Sequence, residues 1–287
     1  MSLSIGQTLL LLPSQKRAFS LWPGLADRLA RSLRFSMHAE ALPQQLGYGL
    51  SLAAIKLAGT DASWSMEKLN GLRFACADLA QLKVELNGVL ALAIGNLQLT
   101  EIMDQQADAL VHRCLEDTQI KLHRICPAQY VLELPDGVPS PVALAPSQLI
   151  GSALSGQMPE PVRWRLLLNE SQMLLAESPI GKANSLWFYG ADIPRPCANV
   201  SLAVHLAAPT SDPLLLGLHA LNPANKPEQA LSIFDWRAPN ASNNKLAHHP
   251  LWISFDSGEL YYAGRFDTLK FWRKKQCFDL KPAHAPQ

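Results

Sequence analysis

Nowhere does this 287-residue chain space two cysteines as Cys-x-x-Cys, and its five cysteines, Cys76, Cys114, Cys126, Cys197 and Cys277, are odd in number. A disulfide framework and a zinc ribbon are therefore not expected, and buried thiols in a reducing cytoplasm are. Charge of one sign is also scarce. The 25 Lys and Arg against 24 Asp and Glu leave a formal net charge of +1, which gives no whole-chain case for nucleic acid or an anionic membrane as partner. No apolar run approaches the roughly 18 residues of a membrane-spanning helix. The apolar stretch near the start, Leu9 to Leu12, has no basic segment before it, and Lys16 and Arg17 follow it, so a signal peptide is not expected. Internal repeats and long low-complexity tracts are missing as well. What is present is globular: 48% hydrophobic and 17% charged residues, in a chain long enough for one large domain or two modest ones.

The hydrophobic periods then divide the chain. Residues 7–12 read as a short buried strand. Leu25, Leu29 and Leu33 recur at helical spacing, and a second helix is expected from Leu46 to Leu57. Leu82, Val84 and Leu86 alternate with Lys83 and Glu85 as in a half-buried strand, and Asn87-Gly88 signals a hairpin into Val89–Ile94. Thr100 followed by Glu101 and Asp104 opens a helix whose stripe is Met103, Ala107, Leu110, Val111 and Cys114. Strands at 119–125 and 129–134 follow. The segment 71–135 thus reads as a β-β-α-β-β module of α+β type. Beyond a Pro-, Ser- and Gly-rich connector, Trp164, Leu167, Leu168, Leu174 and Leu175 line one face of a strong amphipathic helix. Strands are expected at Ser185–Tyr189, 199–207, 231–236, 250–255 and 259–263, with a helix at 213–221 and a basic helix at Phe266–Lys275. The fold class is α/β. Residues 1–70 and 136–287 are expected to form a core in which Leu9–Leu12, Ser185–Tyr189 and Val200–His205 share one largely parallel sheet.

Three segments carry a family resemblance: Arg163-Trp-Arg-Leu-Leu-Leu-Asn-Glu-Ser-Gln-Met-Leu-Leu175, Asn184-Ser-Leu-Trp-Phe-Tyr-Gly190 and Phe266-Asp-Thr-Leu-Lys-Phe-Trp-Arg-Lys274. In this order they resemble the RpfE-like regulatory protein family of proteobacteria. More distantly, Phe74–Asn96, Leu99-Thr100-Glu101, Tyr130–Leu134 and Asn184–Gly190 are similar to archaeal-type cofactor-independent phosphoglycerate mutases. That similarity implies a core like a degenerate alkaline-phosphatase domain with an inserted α+β module. Those mutases use two divalent cations held by Asp and His, and a Ser nucleophile. Here the first strand ends Leu11-Leu12-Pro13-Ser14-Gln15 without a carboxylate, and the late strand, Ser232–Asn240, offers Asp235 alone. Neither a metal nor another cofactor is therefore expected, and the resemblance implies a regulatory or ligand-binding protein. An active mutase or phosphatase with rearranged ligands is the alternative.

Several residues bear on the site. Arg163, Asn169, Glu170, Lys182 and Asn184 bracket a helix end and a strand start, a neighbourhood that lies near the substrate cleft in the mutases. Lys182, Arg163 and the Asn amides could hold a small anionic ligand there; helix capping and an Asn tying down a loop is the other reading. His248-His249 near Asp256 suggests a metal, but neighbours on a strand point to opposite faces, so a polar loop is the simpler reading. Ser14 has no companion base in the local sequence, and a Pro-Ser turn explains it. The basic C-terminal segment could meet an acidic protein partner or phosphate; a docked helix with a solvated basic edge explains it as well.

Overall fold

The computed structural model describes residues 7–12, 25, 29–30, 32–36, 51–61, 63–86, 88–95, 97–143, 146–149, 154, 158–192, 203–207, 210–224, 230–235, 251–255 and 259–263. Ser14, Asn87, Cys197, His248, His249, Asp256, Cys277 and the Phe266–Lys275 segment lie outside them. The elements run, in chain order, β1 (Thr8–Leu12), β2 (Leu33–Ser36), α1 (Leu52–Ala58), α2 (Met66–Leu69), β3 (Arg73–Glu85), β4 (Gly88–Ile94) and α3 (Glu101–Leu115). After a 3-10 turn at Glu116–Thr118 come β5 (Lys121–Cys126), β6 (Gln129–Leu134), α4 (Pro146–Leu149), α5 (Val162–Glu177) and β7 (Ser185–Asp192). The last are β8 (Val204–Leu206), α6 (Pro213–Leu221), β9 (Leu231–Asp235), β10 (Leu251–Phe255) and β11 (Glu259–Ala263). The fold is mixed α/β, with parallel and antiparallel pairing. Among the described residues, no helix is long and apolar enough to cross a membrane.

The chain forms two compact units. The first comprises Met1–Met37, Leu202–Thr210 and Ala224–Gln287. Its sheet has the order β2-β11-β10-β1-β9-β8. β1 pairs parallel with both β10 and β9, and β9 pairs parallel with β8. β11 and β2 continue the sheet antiparallel. Leu9 and Leu10, the middle of β1, are wholly buried, as the unbroken leucine run requires of a strand covered on both faces.

The second unit comprises His38–Ser201 and Ser211–Pro223, and so extends well beyond the 71–135 module. Its antiparallel sheet has the order β4-β3-β6-β5, with β7 on the other edge of β3. The sequence places β7 in one sheet with β1; instead Ser185–Asp192 pairs antiparallel with Phe74–Ala80 in this second sheet. The physical reason is plain. Leu186, Trp187, Phe188 and Tyr189 are all buried, and a continuous apolar run fits a doubly covered strand of either kind of sheet equally well. The hairpin does form, with Glu85 opposite Gly88, so Gly88 opens β4 instead of sitting in the turn.

Directly opposed residues of antiparallel strands share a face, so the pairings sort this sheet into two sides. Phe74, Cys76 and Asp78 share one side with Tyr189, Trp187, Val131, Gln129 and Cys126. This side is covered by α1, against which α6 packs. The opposite side carries Ala75, Ala77, Phe188, Tyr130 and Leu132, with α5 packed on β7 and α3 packed on α5. The helix ends follow local chemistry. Thr100 caps α3 by accepting the Met103 N–H, with Glu101 and Asp104 in the first turn and His112 and Arg113 in the last. Asp212 caps α6 by accepting the N–H groups of Leu214 and Leu215, with Pro213 opening the helix. In α5, Trp164, Leu167, Leu168, Leu174 and Leu175 are buried, as the stripe predicts, and the Trp164 indole donates to the Pro139 carbonyl at 2.8 Å.

Candidate functional site

A buried ionic network lies under α1. The Lys56 ammonium donates to the Tyr189 hydroxyl at 2.9 Å, and that hydroxyl donates to Asp78 Oδ2 at 2.7 Å. Lys56 Nζ is 3.9 Å from the same carboxylate oxygen and 3.4 Å from Gln129 Oε1. The Asp78 side chain is 2% exposed and that of Lys56 12%, so the pair is screened little by water. Asp78 Oδ1 is buried with no hydrogen-bond partner among the described residues. Gly95 makes room for the carboxylate. It has φ +69°, and a Cβ there would stand 2.6 Å from Asp78 Oδ2. Burial pushes the Asp78 carboxyl above the ordinary carboxylate range, against the pull of Lys56 and Tyr189. Burial acts to lower Lys56, but the attraction of Asp78, with that of Asp212, outweighs it and leaves the ammonium above its usual value.

Neither Lys56 nor Asp78 stands out as a site residue by motif. Each is nevertheless a lone charge inside an apolar run, Leu52–Ala58 and Phe74–Ala80, and two opposite lone charges of that kind are a signal for a buried pair. A second network braces the opposite side of the sheet. Arg124 hydrogen-bonds Asp104 and lies 3.5 Å from Asp108 Oδ2, and the Tyr130 hydroxyl donates to Asp108 Oδ1 at 2.9 Å.

These groups set a pH dependence. Burial pushes the Cys114 thiol up to about 12 and raises Tyr130 and Tyr189 above the ordinary tyrosine value. Lys56 is raised as well. A group that holds its proton more tightly when folded contributes stability that is complete below its unfolded value and is lost as pH rises through its folded value. The unfolded values are 9.0 for cysteine, 10.0 for tyrosine and 10.5 for lysine. The thermal midpoint, followed by circular dichroism, is therefore expected to fall steadily once pH passes about 9. Tyr189→Phe should flatten that fall, and a midpoint that holds level into strong alkali would contradict the burial of these groups.

The five residues singled out from the sequence do not converge. Arg163 sits in the first turn of α5 and donates to the Thr118 carbonyl at 3.3 Å. Lys182 is exposed beyond the other end of that helix, roughly 20 Å away at 1.5 Å per residue. Asn169 and Glu170 are exposed on α5. Asn184 has both amide atoms committed: Nδ2 donates to the Leu82 carbonyl at 2.6 Å, and Oδ1 accepts the Leu82 N–H at 2.8 Å. It extends the β3 pairing past the end of β7, beside the bulge at Gln81–Leu82.

Between α3 and the end of α5 lies a cleft of about 460 Å³. Gln106, Arg113 and Ser178 give it polar groups, and Ala109, Leu110, Leu174, Pro179 and Ile180 give it apolar walls. Lys182 follows two residues after Ile180. The Arg113 guanidinium makes no hydrogen bond or ion pair among the described residues. In the first unit, Asp235 ends β9 opposite Leu11, is 7% exposed and accepts the Thr210 hydroxyl at 2.7 Å. Among the described residues, no group of three or more His, Cys, Asp or Glu is arranged to hold a metal ion. No protein-family model matches this sequence, and no curated protein or solved structure matches it.

Proposed function

We propose that this chain is a cytoplasmic regulatory or ligand-binding protein on a phosphoglycerate-mutase-like scaffold, related to the RpfE-like family, whose metal-dependent centre is lost. Its ligand is a small organic anion held in the cleft between α3 and α5. The cleft carries the reading. An uncommitted guanidinium, an amide and a hydroxyl stand over apolar walls, in a volume within the roughly 300–1,000 Å³ of small-molecule sites. A guanidinium suits carboxylate and phosphate because its N–H fork matches two oxygens at once. Two further observations support the scaffold: the parallel strands β8, β9, β1 and β10, and an Asp235 carboxylate that is occupied by Thr210. One observation favours the second reading, an active mutase or phosphatase with rearranged ligands. Asp235 stands at the carboxyl end of a parallel strand, where α/β sheets place their ligands.

The test is calorimetric titration of the full chain with phosphoglycerate and, separately, with inorganic phosphate, without added metal. Saturable binding of phosphoglycerate is expected. Arg113→Ala should weaken it about tenfold or more, the loss expected for one charge-assisted hydrogen bond, and should leave the unfolding midpoint unchanged because the side chain is exposed. Absence of binding by the native chain, or affinity indifferent to Arg113→Ala, would remove the cleft from the proposal.

A further inference from the structure

Helix α5 is buried along one side and bare along the other. The bare side is ordered. At about 100° per residue, Val162, Leu166, Asn169, Met173 and Ala176 fall on the line opposite the buried stripe, spaced as the seam of a helix pair is spaced. Val162 is 54% exposed, Leu166 62% and Met173 67%. Single exposed hydrophobics are ordinary, but three large ones in register along one helix form an apolar line, broken only at Asn169. The charges beside the line are also sorted along the axis. Arg163 and Arg165 lie in the first turns, and Glu170 and Glu177 lie toward the end.

This polarity selects the occupant. A parallel copy of the helix would set like charges side by side, whereas an antiparallel copy sets the basic half of each helix against the acidic half of the other. The surface is thus complementary to itself under a two-fold axis, which is what an isologous dimer contact requires. We propose that α5 is a dimerisation surface on which a second copy of this chain docks antiparallel. Val162 then lies against Met173 of the second copy, Leu166 lies near the axis beside Asn169 of the second copy, and Arg163 faces Glu170 of the second copy. Arg165 already reaches Glu160 in its own chain at 3.1 Å, whereas Arg163 has one N–H on the Thr118 carbonyl and its other N–H groups left for Glu170 of the second copy, so most of the pairing gain falls to Arg163. A helix of 16 residues is only about 24 Å long, so its contact lies at the small end of specific interfaces and the dimer is weak and reversible.

The experiment is sedimentation equilibrium of the full chain over a concentration series from sub-micromolar to several hundred micromolar. A monomer–dimer equilibrium is expected. Leu166→Glu and Met173→Glu should each weaken it about tenfold or more, without lowering the unfolding midpoint measured at high dilution. Arg163→Glu should weaken the dimer, and adding Glu170→Arg to that variant should restore it, a rescue that mere loss of solubility or folding would not give. A chain that stays monomeric at the highest concentration would overturn the proposal. So would a dimer indifferent to both Leu166→Glu and Met173→Glu.

Discussion

Asp78→Ala is expected to destabilise the second unit by about 3–5 kcal/mol, because it leaves the Lys56 ammonium buried without its nearest countercharge, with only the weaker attraction of Asp212. Lys56 would keep only the Tyr189 hydroxyl and the Gln129 amide as acceptors, and Tyr189 would lose the acceptor for its own proton. Asp78→Asn should cost less, since an amide oxygen can still accept from Tyr189. The informative control is the pair Lys56→Met with Asp78→Leu. Taking out both charges together removes the desolvation cost along with the attraction, so much of the lost stability should return. Urea unfolding followed by tryptophan fluorescence reads all of these, with Trp187 on the same side of the sheet as Asp78. If Asp78→Ala came within about 0.5 kcal/mol of the native chain, as surface substitutions do, the network would not be buried as described.

Gly217→Ala should act as strongly by a different route. A Cβ on Gly217 would stand 1.7 Å from the Ile55 carbonyl oxygen, inside the backbone of α1. Gly59 faces the same seam, where a Cβ would lie 2.3 Å from the Pro213 carbonyl oxygen. The two glycines let α1 and α6 approach backbone to backbone, and a flexible side chain cannot yield because the obstacle is main chain. The expected cost is at or beyond the upper end of the roughly 1–3 kcal/mol of overpacking, despite the gain in helix propensity from Gly to Ala. Thermal unfolding of Gly217→Ala checks this, and a neutral or stabilising effect would mean that α6 does not lie against α1.

Much of the fold is legible where a local rule fixes it. Thr100-Glu101 opens α3, the Trp164–Leu175 stripe buries as its period demands, Pro127 ends β5 ahead of β6, and Leu9–Leu12 lies within a largely parallel sheet. Partner choice is not local. Nothing within Ser185–Tyr189 distinguishes pairing with β3 from pairing with β1, since a strand buried on both faces shows no alternation. The site is less legible. Arg163, Asn169, Glu170 and Lys182 lie close in sequence, but α5 holds its two ends far apart, and Asn184 is spent on Leu82. The cleft residues Gln106 and Arg113 sit on α3, which the chain reaches long before Ser178. Lys56 meets Asp78 only because α1 packs over β3, and Gly217 shows only as an oddity in a leucine-rich helix until α1 lies beside it.

The most direct test of a scaffold without its metal-dependent centre is a mutase assay with added manganese, on protein purified without chelator and analysed for bound metal. No turnover and only traces of divalent metal are expected, and Asp235→Ala should change neither. Near-stoichiometric metal, with turnover that Asp235→Ala abolishes, would contradict the proposal and place an active centre at the carboxyl end of β9.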